Sequence, residues 1–176
     1  MSTLVVSTAL RAGSKTSAIA RALAERFTAL GEAVRTFDLA EIALPLCDGG
    51  ACYQDPAVVA VTAEVRAARA VVLCFPVYNY QANAAAKNFI EVTNDVWNGK
   101  VAGLVANAGT ERSFLAPLAL ANSLMVDHRC LVVPRFVFVG PAAFAADGTL
   151  APEGDTVTRL GELARDVVQL SPHWPA

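Results

Sequence analysis

One short stretch near the N-terminus combines the residue types that bind phosphate. Residues 10–17 read Leu-Arg-Ala-Gly-Ser-Lys-Thr-Ser, between an apolar β-branched run and an amphipathic helical pattern. The first N–H groups of a helix have no intrahelical acceptor, and the helix dipole favours an anion there. Arg11 adds a forked guanidinium, and Gly13 tolerates the backbone angles of a tight turn. The stretch predicts a phosphate site, although the same residue types also serve as ordinary N-cap and turn residues.

Two common nucleotide fingerprints are absent from this stretch. Gly13 and Lys15 are not adjacent and no glycine stands five residues before Lys15, so it is not a nucleotide P-loop. No G-x-G-x-x-G follows the first strand, so a dinucleotide fingerprint is also missing.

A second stretch has the residues to hold an aromatic heterocycle. Residues 76–80 read Pro-Val-Tyr-Asn-Tyr, which combines an apolar floor with two phenol rings and one amide. Such a surface binds a flat ring by stacking and by backbone hydrogen bonds. The alternative is that Tyr78 and Tyr80 pack only against the loop backbone.

Composition limits the class of protein. The 176 residues are 55% hydrophobic and 17% charged with a net charge of −2, which suits a single globular domain over residues 1–176 and gives no electrostatic case for nucleic-acid binding. No apolar run approaches the roughly 20 residues that span a bilayer. The first residues lack the basic region of a signal peptide, so we expect a cytoplasmic protein without a membrane partner.

The four cysteines do not form a metal-binding pattern. Cys47 and Cys52 have no second pair or histidine at ligand spacing. Cys74 and Cys130 adjoin buried-strand patterns and are expected to be core residues. We therefore predict free thiols and no metal site.

Hydrophobic periodicity predicts five strands alternating with helices. The strands are at residues 4–6, 33–37, 70–75, 101–106 and 131–139, and the helices lie between the phosphate stretch and Gly31, after Pro56, and at residues 82–96, 114–126 and 155–170. Pro76 is expected to end the third strand, and Pro134 favours an edge position for the fifth.

This alternation predicts an α/β fold with a flavodoxin-like, doubly wound, five-stranded parallel sheet of order 2-1-3-4-5. Ligands of such sheets bind beyond the carboxyl ends of the strands, at the switch point. The topology therefore brings together the loops at residues 10–17, 76–81 and 107–112. Glu111 is the one carboxylate in them, so the acidic pocket of a phosphorelay receiver is missing.

These residues resemble the NADPH-dependent FMN reductase family of flavodoxin-like proteins. The stretch 10–16 is similar to that family's phosphate loop, Leu-Arg-x-Gly-Ser-x-(Ser/Thr/Asn). Residues 76–79, followed by Lys-Asn-Phe-Ile-Glu at 87–91, resemble its Pro-Glu-Tyr-Asn…Lys-Asn-x-Ile-Asp signature. Three departures stand out: Thr8-Ala9 where the family often has Gly-Ser, Val77 for the usual Glu, and Asn83-Ala84 for the common Pro-Gly.

The resemblance implies an FMN-dependent oxidoreductase. NADPH or NADH would donate electrons, and a small molecule such as a quinone or free flavin would accept them. The flavin would carry the chemistry, so no catalytic residue is expected from the protein. The implied cofactor-binding residues are Leu10, Arg11, Ser14, Lys15, Thr16, Pro76, Val77, Tyr78, Asn79, Ala108, Gly109 and Thr110.

Two alternatives remain open at this point. One is a flavodoxin-type electron carrier, although such carriers resemble each other in a Thr-rich phosphate loop and strong acidity that this chain lacks. The other is a flavin-free binding protein on the same fold, because a fold alone does not confer a function.

The segment 114–126 is apolar almost all round, which exceeds the stripe that one sheet face needs. We therefore expect a homodimer or homotetramer, in which this segment packs against residues around Phe89, Val92, Val96 and Trp97. Members of the family that this chain resembles assemble as dimers or tetramers.

Overall fold

The apolar run at residues 70–75 forms the middle of a parallel sheet. The computed structural model describes residues 2–174. Its strands are β1 (Ser2–Ser7), β2 (Ala33–Asp38), β3 (Ala70–Tyr78), β4 (Gln81–Ala82), β5 (Val101–Asn107), β6 (Leu131–Val132) and β7 (Val137–Val139). The strand order is β2-β1-β3-β5-β6, while β7 also pairs with β5 and β4 pairs with β3. Because β6 and β7 occupy the place of the predicted fifth strand, the predicted fold and strand order are confirmed.

Helices cover both faces of this sheet. They are α1 (Lys15–Ala29), α2 (Pro56–Ala67), α3 (Ala84–Thr93), α4 (Leu118–Val126) and α5 (Asp155–Leu170). One apolar cluster joins α1 and α5 to the strands, and a second joins α2, α3 and α4 to the opposite face. This is the doubly wound arrangement, in which alternate side chains of the buried strands enter the two clusters.

Local signals set the helix ends near the site. Ser14 caps α1, because its hydroxyl accepts a hydrogen bond from the Ser17 N–H at 3.0 Å. Asp55 caps α2 in the same way, with Pro56 in the first turn. Gly31 follows the C-cap of α1 with φ +77°, so the predicted helix end is confirmed.

The expectation that Pro76 ends the third strand is wrong. β3 continues to Tyr78, and Pro76 pairs with Asn107 of β5. On the other side β1 ends at Ser7 opposite Cys74, so no neighbouring strand of that side lies beside Pro76. The missing N–H of proline therefore interrupts no ladder between β1 and β3.

The fifth strand was predicted as one continuous strand over residues 131–139. In the structure it is divided into β6 and β7. Pairing with β5 stops after Val132 and resumes at Val137, so the edge strand takes five steps where β5 takes three, from Ala102 to Val105. Pro134 lies in the extra length at the sheet edge, and Arg135 takes a positive φ of 65°. The edge position predicted from Pro134 is correct.

Two helices are shorter than predicted. α4 begins at Leu118 instead of residue 114, because Pro117 lacks an N–H and restrains the residue before it from helical angles. The predicted helix 82–96 is α3 followed by a 3-10 helix at Asn94–Trp97, where Asn94 has φ +47°.

The residues expected to receive a partner chain are in the core. Phe89, Val92 and Trp97 are at most 1% exposed, and Val96 is also buried. They fill the space between the sheet and its helices, so this part of the dimer prediction is wrong. Exposed apolar side chains do remain in and before α4, namely Phe114, Leu115, Leu118, Met125 and Val126.

Cys74 and Cys130 are buried, as expected, and all four cysteines are free thiols. Within residues 2–174, no helix is both long and apolar enough to cross a membrane.

Candidate functional site

The three predicted loops meet at one cavity of about 190 Å³ beyond the carboxyl ends of β1, β3 and β5. Its position is the switch point, where the chain winds in opposite directions on either side of β1 and β3. The cavity is lined by Ala9, Arg11, Ser14, Lys15, Thr16, Pro76, Val77, Tyr78, Asn107, Ala108, Gly109, Pro141 and Phe144.

Hydroxyl groups order the end of the cavity beside α1. The Ser17 hydroxyl lies 2.8 Å from that of Ser14 and 3.2 Å from that of Ser7, so the helix start is joined to the end of β1. The Asn107 side-chain N–H donates to the Thr16 hydroxyl at 3.1 Å, which joins the same turn to β5. These buried bonds fix the direction in which the first-turn N–H groups of α1 point.

The electrostatics of this end favour an anion. Arg11 and Lys15 both line the cavity, and none of the lining residues is Asp or Glu. The first turn of α1 carries no acidic residue either. Neither cation takes part in the ion pairs found between residues 2 and 174, so both remain available to a negatively charged ligand.

A tight hairpin forms the aromatic rim. β3 and β4 pair antiparallel through Tyr78 and Gln81, which leaves only Asn79 and Tyr80 in the turn. Both have positive φ, 49° and 64°, the signs that a type I′ turn requires. Tyr78 and Tyr80 are 61% and 60% exposed. Tyr78 lines the cavity, Tyr80 does not, and both rings are exposed instead of entering the core.

Segment 140–150 closes another side. It follows β7 and folds back through a bridge between Phe144 and Leu150. The Lys15 ammonium lies 4.4 Å from the centre of the Phe144 ring, a cation–π contact at the cavity wall. A larger cavity of about 450 Å³ is lined by the same segment, but its lining includes Glu111, Glu153 and Asp155. These carboxylates make it a poor site for phosphate.

The sequence model of one family matches residues 1–144, which is more than half of the chain, and its description is NADPH-dependent FMN reductase. The chain belongs to this family. The resemblance seen in the sequence is thereby confirmed, and FMN with an NAD(P)H donor is confirmed as the cofactor pair of the family.

Several solved structures have the same fold as this chain. An oxidoreductase from Corynebacterium diphtheriae is 25% identical with a TM-score of 0.75, and 98% of each chain is covered. FerB of Paracoccus denitrificans, an NAD(P)H:acceptor oxidoreductase, is 21% identical with a TM-score of 0.78, and 99% of each chain is covered. An archaeal flavodoxin is 15% identical with a TM-score of 0.68, over 98% of this chain and all of its own. No curated protein sequence matches the chain significantly.

Nine of the twelve residues predicted for the FMN reductase site line the cavity. Leu10, Asn79 and Thr110 do not: Leu10 is 67% exposed, and Asn79 lies in the hairpin turn. The sequence prediction missed Ala9, Asn107, Pro141 and Phe144. Ala9 and Asn107 follow directly from the topology, because they lie at the ends of β1 and β5. Pro141 and Phe144 carry no comparable signal.

The second half of the family-like signature is structural in this chain. Lys87 pairs with Glu91 at 2.6 Å on the surface of α3. Asn88 holds the segment before α2, since its side-chain N–H donates to the Pro45 carbonyl at 2.9 Å and its oxygen accepts from the Cys47 N–H at 2.8 Å. Neither residue lines the cavity.

Proposed function

We propose that this chain is an FMN-dependent NAD(P)H oxidoreductase that passes two electrons to a small acceptor such as a quinone or free flavin. The observation that carries the proposal is the cavity itself. It joins the cationic N-terminus of α1 to an apolar surface that includes Tyr78, and FMN joins an anion to a flat ring. We further propose that residues 1–176 form one FMN-binding domain and that the protein is cytoplasmic.

The donors of the cavity suit a phosphate. Its lining includes Ser14 and Thr16, which carry hydroxyls, and the cationic residues Lys15 and Arg11. The first-turn N–H groups of α1 have no acceptor within the helix. A Cβ built on Gly13 meets no atom within 4 Å, so open space lies beside this turn. We assign the phosphate of FMN to these groups, with Arg11 as its forked charged donor.

The opposite side suits the ring. Pro76, Val77 and Tyr78 supply an apolar strand end, and Ala108 and Gly109 line the same cavity from the loop after β5. A Cβ on Gly109 also meets nothing within 4 Å, which leaves room for a planar group. The volume of about 190 Å³ is below the roughly 300 Å³ at which drug-sized ligand sites begin. The outer part of a bound ring would therefore rest on the open hairpin, where a second substrate could reach it.

When bound, FMN supplies the electron-transfer chemistry. The residues of the chain would bind and orient it, and no carboxylate in the described cavity lining would repel its phosphate. Because the flavin would carry the chemistry, we assign the protein no acid, base or nucleophile. Donor and acceptor then use the same open face in turn.

Steady-state oxidation of NADPH with a quinone, and separately with free FMN, tests this function. Parallel lines in double-reciprocal plots are expected, because one site serves donor and acceptor alternately. Turnover with NADPH and a quinone, at a rate at least comparable with that measured with free FMN, supports the proposal. Intersecting lines exclude the alternating use of one face, and absence of turnover with any acceptor contradicts the enzymatic function.

An electron carrier is the second candidate, because flavodoxins share this fold. A carrier binds FMN but is not reduced by pyridine nucleotides. Reduction by NADPH alone, without a separate reductase, therefore distinguishes the two functions.

We also propose a homodimer or homotetramer built on the exposed apolar side chains around α4. Leu115 and Leu118 are 59% and 49% exposed, and Val126 is 74% exposed. A large exposed apolar patch is uncommon on a monomer, and these side chains lie within one short segment. A two-fold axis would place α4 of one chain against α4 of its partner. Phe89 and Val92 of α3, the contacts expected from the sequence, are buried and cannot take this place.

A further inference from the structure

Two cysteines outside the cofactor cavity lie next to each other. The Sγ atoms of Cys47 and Cys52 are 4.0 Å apart, in the segment between β2 and α2. Cys47 is partly exposed, whereas Cys52 is 4% exposed. The other two thiols, Cys74 and Cys130, are buried in the core at 0% and 5% exposure. One close pair of thiols, with one member open to solvent, is thus separate from two enclosed thiols.

The backbone holds this pair in place from both ends. The Asp48 carboxylate accepts hydrogen bonds from the N–H groups of Gly50 at 2.8 Å and Cys52 at 3.1 Å, which turns the chain back on itself. Gly49 makes that turn with φ +72°. At the other end, the Asn88 side chain on α3 accepts from the Cys47 N–H. The two thiols therefore meet through ordered local structure.

We propose that Cys47 and Cys52 are a reversible thiol–disulfide pair that responds to hydrogen peroxide or a related hydroperoxide. In the first step the Cys47 sulfur attacks one peroxide oxygen, the O–O bond breaks, and Cys47 becomes a sulfenic acid while water leaves. In the second step the Cys52 sulfur attacks the Cys47 sulfur, the S–O bond breaks, and a second water leaves. Two thiols are oxidised to one disulfide and one peroxide is reduced to two waters.

Exposure sets the order of these steps. Cys47 lines an open cavity of about 290 Å³ together with Tyr53, Lys87 and His128, so a small oxidant reaches it first. Burial, with the Asp48 carboxylate as a second cause, raises the pKa of the Cys52 thiol. Cys52 therefore keeps its proton and stays unreactive toward the oxidant until the sulfenic acid forms beside it. The two sulfurs then have to approach from 4.0 Å to about 2.05 Å, a movement that the Gly49-Gly50 turn between them permits.

The chain makes this proposal directly testable by mass spectrometry. After Arg35 the next trypsin site is Arg66, so peptide 36–66 contains Cys47 and Cys52 and neither of the other cysteines. Flavin-loaded, full-length protein is treated with hydrogen peroxide and denatured in the presence of N-ethylmaleimide, which alkylates free thiols. It is then digested with trypsin. We expect peptide 36–66 to lose both alkylation sites and to be two hydrogen atoms lighter than the unalkylated dithiol. Dithiothreitol before alkylation should restore both sites.

Two variants separate the steps. Cys52→Ser should leave a sulfenic acid on Cys47 that dimedone traps, followed by a sulfinic acid two oxygens heavier. Cys130→Ala, which removes an enclosed thiol, should behave like the wild type in peptide 36–66. The proposal is overturned if wild-type peptide 36–66 keeps both alkylation sites, if it gains oxygen without forming the disulfide, or if the disulfide joins two chains. Because the wild-type measurement needs no variant, misfolding of a variant cannot rescue it.

Discussion

Thr8 and Asn83 exchange two buried hydrogen bonds across the site. The Thr8 hydroxyl donates to the Asn83 side-chain oxygen at 2.9 Å, and the Asn83 side-chain N–H donates to the Thr8 carbonyl at 2.7 Å. The Asn83 backbone N–H also donates to the Pro76 carbonyl at 3.1 Å. Both residues stand where this chain departs from the family pattern, and the departures contact each other. They join the segment after β1, the last part of β3 and the start of α3.

The first prediction concerns the coupling of this pair. Asn83→Ala leaves the Thr8 hydroxyl and carbonyl buried without their partner, and Thr8→Val removes the matching donor. Each should cost about 1–3 kcal/mol in the free energy of unfolding. The Asn83 side chain makes no capping bond to α3, so the loss reports on the pair. In urea unfolding, the double variant should lose less free energy of unfolding than the two single variants together, by about 0.5–3 kcal/mol. Strict additivity would show that the two residues act independently.

Local patterns in the sequence predicted much of the fold because they depend on neighbouring residues. The run at 70–75 and the Gly31 helix end are of this kind. The β3–β4 hairpin could not be predicted in the same way, because Asn79 and Tyr80 take positive φ without a glycine. The break at Pro134 depends on how many residues of the edge strand fit beside β5, which is a property of the assembled sheet.

The same distinction applies to the site. Arg11, Ser14 and Thr16 were predictable because a strand, a loop and a helix start follow one another along the chain. Phe144 was not, because it reaches the cavity only through the folding back of segment 140–150 onto Lys15. Phe89 and Trp97 were expected to meet a partner chain, but both are buried within one chain. Their edge-to-face contact, with ring centres 6.1 Å apart, fills the core of one chain instead of joining two.

The second prediction concerns Arg11. Arg11→Ala removes a charge-assisted hydrogen bond of about 1.5–3 kcal/mol, so FMN should bind about ten- to a hundredfold more weakly. Binding of riboflavin, which lacks the phosphate, should change little. Fluorescence titration of the apoprotein with both flavins measures the two effects. Arg21→Ala, an exposed change on the same helix and outside the cavity, is the matched control. Equal losses for FMN and riboflavin would remove the phosphate from Arg11.

The third prediction concerns stability in mild acid. Burial lowers the pKa of His128 from its ordinary 6.5. Between the lowered folded pKa and 6.5, the unfolded chain binds a proton that the folded chain resists, so the free energy of unfolding falls as the pH falls through this window. His128→Asn should weaken this dependence between pH 7 and pH 5 in urea titrations. His173→Asn, at an exposed position, should keep the wild-type dependence; a similar change in both variants would contradict the assignment to His128.

The fourth prediction concerns assembly. Leu118→Glu places a charge in the exposed apolar patch of α4, where a dimer would bury it without a partner. Light scattering at micromolar concentration should show a dimer or tetramer for the wild type and a smaller species for the variant. Val59→Glu, at a 54% exposed apolar position on α2, should leave the assembly intact. A monomeric wild type would refute the proposed interface.

The last prediction separates a reductase from a carrier. The β3–β4 hairpin has only two turn residues, so little chain is available to cover the outer face of a ring lying on Tyr78. The net charge of −2 is also too small to steer a basic redox protein, which uses a strong field of one sign. A small donor should therefore reach the flavin directly.

Anaerobic stopped-flow mixing of the FMN-loaded protein with excess NADPH should bleach the flavin absorbance fully, with no long-wavelength band building up on the way. Arg11→Ala reconstituted with saturating FMN should bleach as well, because its defect lies in phosphate binding. If neither NADPH nor NADH bleaches the loaded wild type within minutes, while dithionite does, the reductase function fails and the carrier takes its place.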